Sequence, residues 1–181
     1  MIPTIETERL QLRQLQSTDA EQLHTIFSNV DVLRHYGMEP HQSLEQTEQM
    51  LFGMLEGIAD GSIMRWGIMR KGHPELMGTI GFHNRAPRHR RAEIGYEIHP
   101  RYWRNGYATE ALQAALTFAA CSADIERVGA IVYPENIPSQ QLLERNGFIR
   151  EGTLRHYMRQ GNQTYDVYVY GYIAKKDGPQ C

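Results

Sequence analysis

The chain has 181 residues, of which 41% are hydrophobic and 22% are charged, a composition that predicts one folded domain and excludes a disordered chain. The formal net charge of −2 argues against general nucleic-acid binding through bulk positive charge. Two cysteines give no sign of a disulfide-rich secreted scaffold, the first residues do not resemble a secretory signal, and no segment approaches the roughly 20 apolar residues of a membrane span. We therefore expect a cytoplasmic protein that does not enter a membrane.

The first third of the chain predicts one strand followed by two helices. Alternating leucines predict an edge strand over residues 7–15. A helix is expected to start at residues 17–19, where a hydroxyl or carboxylate side chain can cap it. A second helix is expected to start at Ser43, which forms a capping-box pattern with Gln46, and to end by Gly61.

The remaining chain changes to strands separated by two helices. Strands are predicted at 64–70, 76–82, 92–98 and 128–133, helices at 107–121 and 139–145, and a closing hairpin over 148–174. The order β-α-α-β-β-β-α-β-α-β-β predicts a mixed α/β (α+β) single domain over 1–181, with its core in 7–174 and a frayed tail at 175–181.

The turn between the strand at 92–98 and the helix at 107–121 is the clearest candidate binding feature. Apolar residues alternate before this turn and follow helical spacing after Gly106. The first amides of a helix have no partner within it and lie at the positive end of its dipole, which suits an anion, and a glycine lets a phosphate approach closely. The segment has neither a Walker nor a G-x-G-x-x-G pattern, and a plain tight turn with solvated arginines is the alternative.

Four segments in this order resemble the GCN5-related N-acetyltransferase (GNAT) superfamily, most closely its branch that acetylates the N-termini of ribosomal proteins. They are TERLQLRQL, AEIGYEIHPRYWRNGYATEAL, PENIPSQQLLERNGF and EGTLRHYMRQGNQTYDVYVYGY, spread over residues 7–174. The resemblance implies a mixed, mostly antiparallel sheet of about seven strands, flanked by about four helices, with a splay between the strands at 92–98 and 128–133. It also implies an acetyl-CoA-dependent N-acetyltransferase in which an amine attacks directly in a ternary complex, without a metal.

The resemblance further implies that the turn holds the pyrophosphate of acetyl-CoA, mainly through backbone amides. In the family pattern Gln/Arg-x-x-Gly-x-Gly/Ala, Gly106 and Ala108 match, whereas Trp103 fills the first place and Arg104 is a candidate for the missing charge. The implied cofactor-binding residues are Ile98, Arg104, Asn105, Gly106, Tyr107, Ala108, Thr109 and Asn136. An amide at the end of the strand, at Ile98, would polarise the thioester carbonyl. Asn136 equally fits a plain helix cap.

The catalytic candidates are two carboxylates and one hydroxyl. An ammonium must lose a proton before it attacks a thioester, so a carboxylate acting directly or through water is a suitable base. Glu93 matches the family's usual position and Glu97 follows on the same strand face, while attack by an already neutral amine needs neither. Leu143 stands where many members have the tyrosine that returns a proton to the thiolate. The resemblance to the ribosomal-protein branch implies that a serine, here Ser139, is the acid instead, since its hydroxyl is able to donate. A serine in a first helical turn is also ordinary.

The sequence leaves the acceptor and the partners open. The acceptor is the N-terminus of a ribosomal protein or a small amine such as a polyamine, an aminoglycoside or an amino acid; a non-catalytic acetyl-CoA-binding module is the third hypothesis. Basic residues within 85–91 form either a solvated hairpin tip or a contact for an acidic substrate or ribosomal RNA. The tyrosine-rich last strand suggests a homodimer. The eight histidines show no metal-binding spacing, so no metal is expected.

Overall fold

A computed structural model describes residues 2–174, which form one eight-stranded sheet and five α-helices. The strands are β1 Ile5–Glu6, β2 Leu10–Gln14, β3 Met64–Arg70, β4 Leu76–Ala86, β5 Arg91–Ile98, β6 Arg127–Val132, β7 Ile149–Gln160 and β8 Gln163–Ile173. The helices are α1 Ala20–Phe27, α2 Val30–Leu33, α3 Leu44–Asp60, α4 Tyr107–Cys121 and α5 Ile137–Arg145. Residues 175–181, which the sequence predicts as a frayed tail, lie outside the described residues.

The strand order is β1-β2-β3-β4-β5-β6-β8-β7, and every neighbouring pair is antiparallel except β5 with β6. This confirms the expected mixed, mostly antiparallel sheet. The predicted counts of about seven strands and about four helices are each one too low. The additional elements are β1, of two residues, and α2, of four, which are too short to show a hydrophobic period. α2 lies in 30–40, where the sequence left a loop or a short helix open. β1 also covers the outer side of β2, which was predicted to be the edge strand.

Two apolar clusters pack on the sheet. The larger one joins the apolar face of α4 to alternate residues of the central strands, including Trp66, Phe82 and Ile94. The smaller one packs α1 and α3 together and includes Leu23, Phe27 and Leu51. Between residues 2 and 174, no helix is both long and apolar enough to cross a membrane.

The first turn of α3 forms at the predicted capping residue. Ser43 Oγ accepts a hydrogen bond from the backbone amide of Gln46 at 3.4 Å, and Gly61 ends the helix at a φ of +80°. The Gln46 side chain accepts from the backbone amide of Gln42 at 2.6 Å, one residue earlier than the reciprocal bond of a capping box. The cap therefore confirms the predicted start of this helix.

A V-shaped opening separates β5 from β6 along most of their length. The two parallel strands pair only through Arg91 with Arg127, Ala92 with Val128, and Glu93 with Gly129. Beyond this point β5 remains paired with β4, and β6 remains paired with β8. The strands therefore diverge as the splay between 92–98 and 128–133 predicted, and the opening leads towards α4 and α5.

Candidate active site

The backbone of β5 presents hydrogen-bonding groups to the opening at every second residue. The amide of His99 donates to the carbonyl of Met77 on β4 at 2.8 Å, so odd-numbered residues of β5 bond with β4. Because backbone groups alternate in an antiparallel pair, Tyr96 and Ile98 direct theirs towards β6. Past Glu93 those groups have no partner on β6, as the pairing of the two strands shows. The amide of Ile98 is therefore placed to donate into the opening.

The turn after β5 delivers the chain to an uncapped helix N-terminus. Arg104 and Gly106 both adopt left-handed conformations, with φ of +61° and +79°. Gly106 occupies the N-cap of α4, and no side chain accepts a hydrogen bond from the first turn as a cap. The first-turn amides, at 107–109, are the groups of α4 that lack a partner within the helix. This arrangement suits an anionic ligand.

Trp103 anchors the loop and adds no charge to it. Its indole N–H donates to the carbonyl oxygen of Ile98 at 2.6 Å, which ties the turn to the end of β5. The Asn105 side-chain amide donates to the carbonyls of Trp103 and Tyr102, at 2.9 and 3.3 Å, and so shapes the turn from within. The structure thus gathers Ile98 and the predicted residues of 104–109 at one end of the opening.

Arg9 reaches this loop from the other end of the sequence. Its backbone amide and its Nε donate to the two carboxylate oxygens of Glu110, at 2.8 and 2.7 Å. Its Nη1 donates to the carbonyl of Asn105 at 3.1 Å, and its guanidinium stacks over the Tyr107 ring at 4.8 Å. Sequence reasoning did not identify Arg9, because nothing in local spacing links residues 101 positions apart. Its guanidinium, paired with Glu110, lies beside the loop and fixes it to the start of β2.

Two hydroxyl groups meet across the opening. Asn136 caps α5 by accepting a hydrogen bond from the amide of Ser139 at 3.3 Å, which confirms the plain capping role. Ser139 Oγ lies 2.7 Å from the phenol oxygen of Tyr96 on β5, and either oxygen is able to donate. Burial raises the pKa of Tyr96 to about 12. Leu143, one turn further along α5, is fully buried in the larger cluster. Sequence reasoning did not identify Tyr96 as a site residue.

Glu97 is committed to a buried polar network. Glu97 is only 4% exposed, and its carboxylate forms an ion pair with Arg65. The carboxylate also accepts hydrogen bonds from Thr79 Oγ1 and, at 2.8 Å, from the hydroxyl of Tyr36. Burial, and then the Glu97 carboxylate, raise the pKa of Tyr36 well above its ordinary value. Glu97 is thus neither a surface residue nor an accessible carboxylate, which argues against it as a base.

Glu93 lies on the same face of β5 but remains accessible, with 22% of its side chain exposed. Its Oε2 accepts from the Asn84 amide at 3.1 Å and lies 3.7 Å from Nε2 of His83, the residue opposite it on β4. Burial, and then the charge of Arg65, lower the pKa of His83. His83 is therefore neutral near pH 7. No motif in the sequence identifies His83 as a site residue.

The basic segment of 85–91 is partly neutralised within the fold. Arg90 forms ion pairs with Asp124 and Glu126, and Arg85 donates to the carbonyl of Gly61. Arg88, His89 and Arg91 are exposed. Arg85 and Arg90 therefore bond within the fold, and Arg88 and Arg91 carry the exposed positive charge of this segment.

Comparison with known proteins agrees with this geometry. The family model described as an acetyltransferase (GNAT) domain matches residues 9–149. An uncharacterized N-acetyltransferase of Bacillus subtilis (strain 168), YoaA, is 43% identical over 177 residues, which cover 98% of this chain and 100% of the relative. A GNAT-family acetyltransferase structure from Bacillus anthracis has a TM-score of 0.84 at 30% identity, over 95% of this chain and 99% of the other. The chain therefore belongs to the GNAT acetyltransferases and is an N-acetyltransferase.

The relatives whose names state an acceptor differ in the kind of acceptor. The ribosomal-protein-serine acetyltransferase of Escherichia coli (strain K12) is 34% identical over 99 residues, 55% of either chain. The spermidine N(1)-acetyltransferase of the same strain is 27% identical over 147 residues, which cover 81% of this chain and 76% of the relative. A ribosomal L7/L12 alpha-N-protein acetyltransferase solved in complex with coenzyme A has a TM-score of 0.88 over 97% of this chain and 100% of the other; at 24% identity, this likeness shows the fold alone.

Proposed function

We propose that this protein transfers the acetyl group of acetyl-CoA to a primary amine by direct attack in a ternary complex, and that the acceptor is a protein N-terminus, such as that of a ribosomal protein. One observation carries the proposal: the opening between β5 and β6 leads directly to the uncapped N-terminus of α4. A ligand with phosphates at one end and a long polar arm fits that continuous path. We also propose that the reaction takes place in the cytoplasm.

The residues around the opening fit the chemistry of acetyl-CoA, which would supply the acetyl thioester when bound. The amides of 107–109 and of the loop at 104–106 would hold the pyrophosphate, with the Arg9 guanidinium beside them. The side-chain amide of Asn136 and the unpaired backbone edge of β5 would bond to the polar arm. The amide of Ile98 would stabilise the negative charge that develops on the carbonyl oxygen.

Two side chains would move the protons. Glu93 is an accessible carboxylate on the face of β5 opposite Tyr96 and would take a proton from the amine, directly or through water. Ser139 lies across the opening and would give a proton to the sulfur atom. The neutral state of His83 supports this assignment, because a neutral imidazole does not hold the carboxylate in a charge-assisted ion pair.

The Glu93→Gln variant tests the base. Because glutamine cannot accept a proton at neutral pH, we expect kcat to fall by about 100-fold. Steady-state rates from pH 5.5 to 9 measure this loss. Glu45→Gln, at an exposed first-turn position of α3, is the matched control. A Glu93→Gln profile that overlies the control profile would remove Glu93 as the base.

The acceptor is tested by a panel of amines. An N-terminal peptide of a ribosomal protein, the same peptide with a blocked N-terminus, spermidine, an aminoglycoside and free amino acids are compared by release of free thiol from acetyl-CoA. We expect release with the free peptide and none with the blocked one. Release with spermidine alone would replace the protein acceptor with a polyamine, the alternative that the Escherichia coli relative covering 81% of this chain favours. Tight acetyl-CoA binding without release from any amine would indicate a binding module.

A further inference from the structure

The hydroxyl pair formed by Tyr96 and Ser139 joins β5 to the first turn of α5, the helix that follows β6. Tyr96 belongs to β5, three residues beyond the last pairing with β6, and Ser139 belongs to the first turn of α5. Their oxygens are 2.7 Å apart, a direct hydrogen bond between residues 43 positions apart in the chain. The Tyr96 ring packs against the larger apolar cluster, which fixes the direction of the phenol.

A serine hydroxyl is a weak proton donor when it acts alone. A phenol is a better acid, with an ordinary pKa of about 10. Burial raises the pKa of Tyr96 to about 12, so its proton is retained throughout the neutral pH range. At the position of α5 where a tyrosine would be the donor, Leu143 is buried and carries no proton. The phenol that forms a hydrogen bond with Ser139 is instead that of Tyr96, on β5.

We propose that Tyr96 supplies the proton that Ser139 passes on, an inference that rests on the proposed acetyl transfer. As the carbon–sulfur bond breaks, its electron pair goes to sulfur, which takes the proton of Ser139 Oγ. Ser139 Oγ takes the proton of the Tyr96 phenol, and solvent water then returns a proton to the tyrosinate. The ammonium of the acceptor loses two protons to solvent when it becomes an amide. One of them balances the proton that solvent returns to Tyr96, and the other is the net proton released.

Tyr96 acts through Ser139 and is a positioning residue for the transfer. A purely structural strut would have a different signature, since it would hold the walls of the opening at a fixed spacing. Its loss would then alter acetyl-CoA and CoA binding equally and leave the number of moving protons unchanged. These consequences separate the two roles.

The kinetic test measures Tyr96→Phe, Ser139→Ala and the variant that combines these two substitutions. Tyr170→Phe is the matched control. Tyr170 is a fully buried tyrosine whose hydroxyl likewise bonds to α5, at 3.0 Å from Glu144, but it lies outside the opening. We expect Tyr96→Phe to lower kcat by about 10- to 100-fold, with the KM for acetyl-CoA within twofold of wild type. The double variant should be no more than about threefold slower than Ser139→Ala, because the pair acts as one unit. A kcat of Tyr96→Phe within twofold of that of Tyr170→Phe would overturn the relay. So would a double variant whose loss of kcat equals the product of the two single losses.

A binding measurement tests the same pair without turnover. CoA carries a thiol that ionises near pH 8.5, and the thiolate is the better acceptor for the Ser139 hydroxyl. Calorimetry with CoA at pH 7 and pH 9.5, normalised to acetyl-CoA, should show about a tenfold gain in wild-type affinity. Most of this gain should be absent in Tyr96→Phe and Ser139→Ala. A full gain in Tyr96→Phe contradicts the relay, whereas a wild-type protein that binds neither CoA nor acetyl-CoA contradicts the proposed function itself.

A third measurement needs no variant. Single-turnover rates of the wild-type protein in mixtures of H₂O and D₂O should depend on the deuterium fraction along a curve, because two protons move together. A straight line indicates one proton in motion and would overturn the participation of Tyr96.

Discussion

Gly106→Leu is expected to weaken acetyl-CoA binding by at least about 30-fold, equivalent to about 2 kcal/mol. Gly106 has a φ of +79°, a conformation that costs a residue with a Cβ about 1–2 kcal/mol. A Cβ there would lie 3.3 Å from Nη2 of Arg9, so the larger side chain would displace that guanidinium and fill the space where a phosphate approaches the loop. Isothermal titration calorimetry with acetyl-CoA measures the loss.

Gly72→Leu is the matched control for this experiment. Gly72 has nearly the same φ, +76°, and lies in the turn between β3 and β4, where a Cβ would meet no atom within 4 Å. Both variants therefore carry the same backbone strain, and only the first obstructs the loop. Thermal melts of the two variants should agree to within a few degrees. If Gly106→Leu binds acetyl-CoA within threefold of Gly72→Leu, the loop does not hold the phosphates.

Glu97→Gln is expected to lower the free energy of unfolding by about 3 kcal/mol, because it leaves the buried Arg65 guanidinium without its counter-charge. The Thr79 hydroxyl and the Tyr36 hydroxyl also lose a charged acceptor. For a chain of this length we expect the melting temperature to fall by about 6–12 °C. Urea unfolding and calorimetry measure both quantities.

Glu93→Gln provides the contrasting result on the same face of the same strand. Its side chain is partly exposed and bonds only to Asn84 among the hydrogen bonds of the described residues, so we expect a stability change within about 0.5 kcal/mol. The Arg65→Met, Glu97→Gln double variant should recover part of the loss, because it removes the uncompensated charge. A Glu97→Gln protein as stable as wild type but inactive would assign Glu97 to chemistry instead of structure.

The hydrophobic pattern predicted most of the secondary structure, because it depends on residues near one another in the chain. The helix predicted over 107–121 has the same bounds in the structure, and the strand at 92–98 differs by one residue. The two-residue β1 was missed, and the four-residue α2 lies in 30–40, where the sequence left a loop or a short helix open, since neither element completes a hydrophobic period. The family resemblance, in contrast, carried the expected splay, which the three paired positions of β5 and β6 then confirmed.

By itself, the sequence determined the class of protein, the turn at 101–109 and the carboxylates of β5, since these follow from contiguous motifs. Only the tertiary structure separated Glu93 from Glu97: one carboxylate stays accessible, while the other meets Arg65, a partner from β3 that lies 32 residues away. It also brought Arg9 to the loop and Tyr96 to Ser139, over 96 and 43 residues. Such contacts depend on how strands and helices pack, and no local pattern of residue types predicts them.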